Sequence, residues 1–156
     1  RVRIMLNLDN DYMIETNKLL EEAISLSSSF AMRLLRKAIN VSFITNGTTR
    51  DGVLLPPVSE GADRKHGIMI DRTLSEIEGS EGKDAFLDML KAELCNIRKD
   101  TLYLIISPYA KSDMIEILDS MRDSGASIHL IVPYYDEFPY IPNRDYSDGW
   151  EVALNV

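Results

Sequence analysis

Val2-Arg3-Ile4-Met5-Leu6-Asn7-Leu8 opens the chain, and Asp9-Asn10-Asp11 follows it at once. Five of these seven residues are apolar, the pattern of a strand buried on both faces. Asp9-Asn10-Asp11 ends it, because short polar side chains bond nearby backbone N–H groups and favour turns. A helical pattern then runs over 15–38. Leu19, Leu20, Ala23, Ile24, Ser27, Phe30, Ala31, Leu34, Leu35 and Ala38 recur at intervals of three and four, one buried helix face. Glu15, Glu21 and Glu22 sit early and Arg33, Arg36 and Lys37 late, which complements the helix dipole. Thr16 and Asn17 are N-cap candidates. Val41-Ser42-Phe43-Ile44-Thr45 reads as a second strand. A strand, a crossing helix and a second strand make a parallel unit of fixed hand.

Working outward, Asn46-Gly47 opens a turn, and Gly52-Val53-Leu54-Leu55 reads as a short strand stopped by Pro56-Pro57, which places it at a sheet edge. Helices are expected over 65–77 and 84–98, separated by Gly79-Ser80-Glu81-Gly82. Thr101 to Ile106 is apolar enough for a central strand. A helix over 112–124 with Gly125 as its C′ residue and a strand over 127–132 complete the repeat. The last short strand falls over 150–156. This alternation predicts a three-layer, doubly wound, mostly parallel α/β sheet with one short antiparallel edge strand. Residues 1–135 form the domain; residues 136–156 are an acidic, aromatic tail packed on it, with Tyr134, Tyr135, Phe138 and Tyr140 folded onto the sheet edge.

The 156 residues suit a single core, and 45% hydrophobic with 27% charged residues excludes a disordered or fibrous chain. The net charge of −8 is unevenly spread. Residues 1–50 carry seven bases and five acids, whereas 51–156 carry ten bases and twenty acids. Such a surface repels phosphate, so neither nucleic acid nor an anionic membrane is an expected partner. No apolar run is long enough to span a bilayer. The sole cysteine, Cys95, fits a reducing compartment. A strand beginning at residue 2 is what a domain cut from a longer protein shows.

Ligands of doubly wound sheets bind beyond the carboxyl ends of the strands. Three segments qualify: 9–13, 45–49 and 107–112. Asp9 and Asp11 are spaced i, i+2 and present oxygens of the kind that hold Mg²⁺ or Ca²⁺; they are equally suited to be turn residues. Asn46, Thr48 and Ser107 are candidate rim residues for binding. Cys95, beside Leu94 and Ile97, reads as a buried core thiol rather than a nucleophile. His66 reads as a surface residue and His129 as a structural one. Met114 and Met121 read as core, and no glycine-rich phosphate loop occurs.

The pattern of hydrophobic strand, Asp9-x-Asp11-x-Met13, long helix and strand 41–45 resembles a von Willebrand factor A domain. More narrowly, with Leu54-Leu55-Pro56-Pro57, Leu102-Tyr103-Leu104-Ile105-Ile106-Ser107 and Ile128-His129-Leu130-Ile131-Val132, it resembles the C-terminal half of the domain-of-unknown-function 58 family over roughly residues 1–133. That resemblance implies a divalent-ion site of the form Asp-x-Ser-x-Ser after the first strand, completed by a Thr and by an Asp after the fourth. Here Asp9 matches the Asp, Asp11 and Met13 stand for the two Ser, and Ser107-Pro108 stands where the later Asp would be. A thioether is a poor ligand for a hard cation, so the site is degenerate. Either Asp9 and Asp11 hold an ion with water, or binding has been lost. The resemblance further implies a non-enzymatic protein–protein interaction module. It would be held on the cytoplasmic side by membrane segments upstream and act with a MoxR-type AAA ATPase, without touching the membrane itself.

Asp9-x-Asp11 also resembles the opening of haloacid-dehalogenase-like phosphatases. That reading makes the chain a Mg²⁺-dependent phosphohydrolase with Asp9 as nucleophile, Lys111 as phosphate-binding cation, and Asp136 or Glu137 as a further ligand. Strand order separates the two, since the A domain places a short antiparallel third strand at the sheet edge.

Overall fold

The computed structural model describes residues 1–8, 17–135 and 142–152. In chain order the elements are β1 (Val2–Leu6), α1 (Asn17–Arg36), β2 (Val41–Thr45), β3 (Gly47–Thr48), β4 (Val58–Gly61) and α2 (Arg64–Ser75). They continue with β5 (Gly79–Ser80), α3 (Lys83–Leu94), β6 (Leu102–Ile106), α4 (Ser112–Asp123), β7 (Ser127–Tyr135) and β8 (Ser147–Val152). Six strands form one sheet in the order β4-β2-β1-β6-β7-β8, and β3 and β5 form a separate pair. Within the large sheet every pairing is parallel except β2 with β4.

β1 is the centre. Ile4 lies opposite Phe43 on one side and Leu104 on the other. Because side chains alternate along a strand, Ile4 and Leu6 enter the core shared with Phe43, Leu104, Ile106 and the inner faces of α1 and α2. Met5 enters the opposite core, with Tyr103, Ile105, Leu130, Phe86 of α3 and Leu118 of α4. Ile4, Met5 and Leu6 are all fully buried. Each side chain of this size contributes about 1.5–3 kcal/mol on burial. The apolar run is thus explained by helices on both sheet faces. Met114 and Met121 are core, as read from their spacing.

Several local expectations are corrected. The antiparallel edge strand is Val58–Gly61, not 52–55. Leu54 makes a single bridge to Thr48, and Pro56-Pro57 interrupt the ladder before β4 begins. Gly47–Thr48 and Gly79–Ser80, read as turn and breaker, pair with each other. Cys95 is exposed, because α3 stops at Leu94 and Cys95 is its C-cap. His66 is buried rather than on the surface, and its Nε2 donates to the Val41 carbonyl at 2.6 Å. Gly61 makes room for that ring: a Cβ there would stand 2.4 Å from Nδ1. His129, in β7, is partly exposed and its Nε2 lies 2.6 Å from Asp148 Oδ2 in β8. The final strand begins at Ser147 and runs parallel to β7, with Leu130 opposite Ser147. Of the aromatic segment, Phe138 and Tyr140 lie outside the described residues.

Two helices end in the same hydrogen-bond pattern. After α4, Gly125 N–H donates to Arg122 O and Ala126 N–H to Met121 O, with Gly125 at φ 97°. After α1, Ala38 N–H donates to Leu35 O and Ile39 N–H to Leu34 O, with Ala38 at φ 58°. This motif favours glycine at its left-handed position, and an alanine there is strained. It explains why α1 stops at Arg36 although the apolar spacing continues to Ala38. Ala38→Gly should therefore raise the unfolding free energy by about 0.5–1 kcal/mol, measured by urea denaturation.

The segment entering β8 is tied to α4 through Asp119. Arg144 Nε and Nη2 donate to that carboxylate at 3.0 and 2.9 Å, and the Tyr146 hydroxyl donates at 2.7 Å. The Arg144 hydrogen bond, reinforced by Tyr146, holds the Asp119 carboxyl below its ordinary value of 3.8 against the opposing effect of burial. A carboxyl depressed in the folded state stabilises above its unfolded value, and that contribution is lost as pH falls through the folded one. Asp119→Asn should therefore lower the urea midpoint at pH 7, and the gap to the parent protein should close as the pH is taken well below 3.8.

Candidate strand-end site

Leu6 of β1 is in register with Thr45 of β2 and Ile106 of β6, so three adjacent parallel strands end at one level. The residue after each end is polar: Asn7, Asn46 and Ser107. All three are buried, with 1%, 0% and 0% of their surface exposed. Buried polar groups need partners, and these supply one another. Asn46 Oδ1 accepts from the Leu8 N–H at 2.8 Å, which fixes the orientation of its amide. Asn46 Nδ2 then donates to Gly82 O and to Asn7 Oδ1, both at 2.9 Å. With its oxygen accepting, Asn7 turns Nδ2 toward Ser107 Oγ at 3.0 Å. The Ser107 hydroxyl, accepting there, donates its own proton to the Tyr109 carbonyl.

Backbone bonds brace the same pole. Asn7 N–H donates to Ile106 O at 2.9 Å and Ser107 N–H to Ile131 O at 3.0 Å. Thr45 Oγ1 donates to Leu6 O at 2.9 Å and accepts from Gly47 N–H at 3.0 Å. On the outer side, Glu81 N–H donates to Asn46 O and Glu78 N–H to Thr48 O. These bonds clip the β5 segment over the end of β2.

Of the rim residues read from the sequence, Asn46 and Ser107 come together with Asn7 between them. Thr48 stands apart in β3, buried, with Gly79 packed so close that a Cβ would lie 2.7 Å from Thr48 Oγ1. Asp9 and Asp11 lie outside the described residues. Asn7 was not singled out, because the apolar Leu8 after it extends the strand pattern. The available signal was register: Asn7, Asn46 and Ser107 are each one step past a strand end. Around the crevice, a cleft of about 500 Å³ is lined by Leu8, Leu20, Ile24 and Ile77 with Glu21 and Glu78 at its mouth. Its chemistry suits an apolar group carrying positive charge.

The described strand-end residues do not fit a hard divalent cation. Mg²⁺ and Ca²⁺ sites combine carboxylates with other free oxygens, whereas Asn7, Asn46 and Ser107 supply no carboxylate and their side-chain oxygens already accept protein hydrogen bonds. Among the described residues no cluster of three or more Asp, Glu, His or Cys could hold a metal. Of the residues in the phosphatase reading, Lys111 precedes α4 with its ammonium 5.8 Å from the centre of the Tyr109 ring, and Asp136 and Glu137 lie outside the described residues. No helix among the described residues is long and apolar enough to cross a membrane.

No known family profile and no curated protein matches the sequence. Solved structures do match the fold. The open conformation of the pilus adhesin SpaC from Lactobacillus rhamnosus GG superposes with a TM-score of 0.56 at 10% identity, over 85% of this chain and 24% of the adhesin chain. The conserved hypothetical protein BatB from Bacteroides thetaiotaomicron superposes with a TM-score of 0.54 at 16% identity, over 87% of this chain and 67% of BatB. The chain thus spans about a quarter of the adhesin and two thirds of BatB. The shared layout is a mostly parallel α/β sheet with one antiparallel edge pair, the von Willebrand A-like fold. The antiparallel edge strand β4 is the feature that separates this fold from the phosphatase alternative, and it disfavours the latter.

Asn46 is the node of the network. Asn46→Ala would remove the acceptor of the buried Leu8 N–H and the donor to Asn7 Oδ1 and to the part-buried Gly82 carbonyl. A loss of about 2–4 kcal/mol in unfolding free energy is expected. Asn46→Asp should not restore it, because a carboxylate cannot donate to Asn7 Oδ1 or Gly82 O. Chemical denaturation of the two variants checks both statements.

Proposed function

We propose that this chain is a non-enzymatic protein–protein interaction module that recognises its partner at the carboxyl end of the sheet. The observation that carries the reading is the Asn46–Asn7–Ser107 network. At the pole where doubly wound sheets bind ligands, catalysis by proton transfer or nucleophilic attack needs an ionisable group or an activated nucleophile. The three buried network residues are neutral and hydrogen-bonded in series, and the Ser107 hydroxyl donates to a backbone carbonyl. Such a network is suited to holding a rigid rim for surface recognition.

In this reading Asp9 and Asp11 are the remnant of a metal-ion-dependent adhesion site, with binding weak or lost, since Met13 and Ser107-Pro108 stand where further oxygen ligands would be. The partner is a MoxR-type AAA ATPase or one of its clients, and the domain works on the cytoplasmic side, tethered by segments upstream. The resemblance to the domain-of-unknown-function 58 family supports these assignments, and the acidic mouth of the strand-end cleft supports a basic docking surface on the partner.

Interferometry with the MoxR-type AAA ATPase from the same genome tests this. Glu78 and Glu81 are exposed at the rim, and Glu78→Lys with Glu81→Lys should weaken binding by about tenfold or more. p-Nitrophenyl phosphate with Mg²⁺ should not be turned over. Turnover abolished by Asp9→Asn, or binding indifferent to the rim variants, would overturn the proposal.

A further inference from the structure

At the opposite pole, beside the amino end of β2, the seam between α1 and α2 opens into a groove of about 410 Å³. Its floor is apolar: Met32 and Leu35 from α1, Gly67 and Ile68 from α2. Gly67 is buried, and a Cβ on it would stand 3.3 Å from Leu35 Cδ1 and 3.4 Å from Met32 Sδ. The missing side chain lets the helices approach and leaves a trough beside them. Ile68 is 55% exposed and its neighbour Met69 51%. Two exposed large apolar side chains in succession on one helix mark a surface that a partner covers more readily than water does.

The rim decides what that partner is. Arg36 and Arg64 flank the groove together with Asp63 and Asp71. Both acids accept hydrogen bonds from neutral donors, which fixes their positions and leaves their charge, so the four lining residues balance. Asp63 Oδ1 caps α2 by accepting the His66 N–H at 2.9 Å, and Asp71 Oδ1 accepts the Ser28 hydroxyl at 2.9 Å. Neither arginine pairs with a carboxylate among the described residues. Exposed Lys37 and Lys65, each next in sequence to one of the two arginines, tip the local charge to positive on a chain whose net charge is −8.

We infer that this groove docks an acidic amphipathic helix of a protein partner. Its apolar face lies on Met32, Leu35 and Ile68, and its carboxylates meet Arg36 and Arg64. Helices bind grooves in this way through apolar anchors one turn apart, and complementary charge sets choice of partner and rate of encounter. The apolar floor favours a peptide over a phosphate polymer, which would leave Ile68 and Met69 uncovered. The surface is separate from the strand-end rim and does not rest on the function proposed for it.

A fluorescein-labelled synthetic helix of roughly 16 residues, with Leu at i, i+3, i+4 and i+7 and Glu elsewhere, serves as probe, and its twin carries Lys in place of Glu. Fluorescence anisotropy should show the acidic helix saturating in the micromolar range, roughly −7 to −8 kcal/mol, more weakly as salt is raised. Arg36→Glu with Arg64→Glu, and separately Ile68→Ser, should each weaken it by about tenfold. All three residues are exposed, and circular dichroism melts verify that the variants fold. No saturation, equal binding of the lysine twin, or affinity unchanged by the variants would overturn the inference. So would competition by heparin together with indifference to Ile68→Ser, which would mark a polyanion site.

Discussion

A strand buried on both faces and paired on both edges leaves no water for the polar groups that follow it out of the sheet, so the protein must supply every partner itself. β1 is such a strand. Its Ile4, Met5 and Leu6 are fully buried, and its neighbours β2 and β6 end at the same level. Asn7, Asn46 and Ser107 therefore emerge together as buried polar groups. Only side chains that both donate and accept can close the account there: two amides and a hydroxyl form a directional chain from the Leu8 N–H to the Tyr109 carbonyl. A carboxylate in place of Asn46 would have no proton to offer Asn7 or Gly82. The chemistry of the pole follows from the burial of the central strand.

That constraint also shows which parts of the sequence could be read directly. β1, β6, α1 and α4 carry their environment in their own periodicity, since one buried face or two leaves a spacing of three to four or a continuous apolar run. Asn46 and Ser107 were legible because they follow strong strand patterns. Asn7 was hidden by Leu8, which is buried outside the strand. The edge strand β4, Val58-Ser59-Glu60-Gly61, is selected by backbone pairing with β2 and has almost no apolar signature. The burial of His66 depends on the space left by Gly61 and on the Val41 carbonyl, 25 residues away in sequence. Cys95 follows the apolar spacing of α3 but falls where the helix has ended. Asp9 and Asp11, the most conspicuous motif in the sequence, lie outside the described residues.

The two ends of the α1–α2 seam differ in charge. Glu21 and Glu78 stand at the mouth of the strand-end cleft, and Arg36 and Arg64 flank the groove at the other pole. A chain of net charge −8 thus presents an acidic recess at one end of the seam and one lined by both arginines and aspartates at the other, each with apolar lining.

We propose that a neutral hydrogen-bond network, and not a divalent ion, organises the carboxyl pole. Calorimetric titration of Mg²⁺, Mn²⁺ and Ca²⁺ into the purified chain, beside Asp9→Ala, tests it most directly. A ligand that binds the native state alone also raises its stability, so melting curves report on the same equilibrium. The account predicts no saturable heat and no shift in Tm up to roughly millimolar metal. Tight binding that disappears in Asp9→Ala would contradict it.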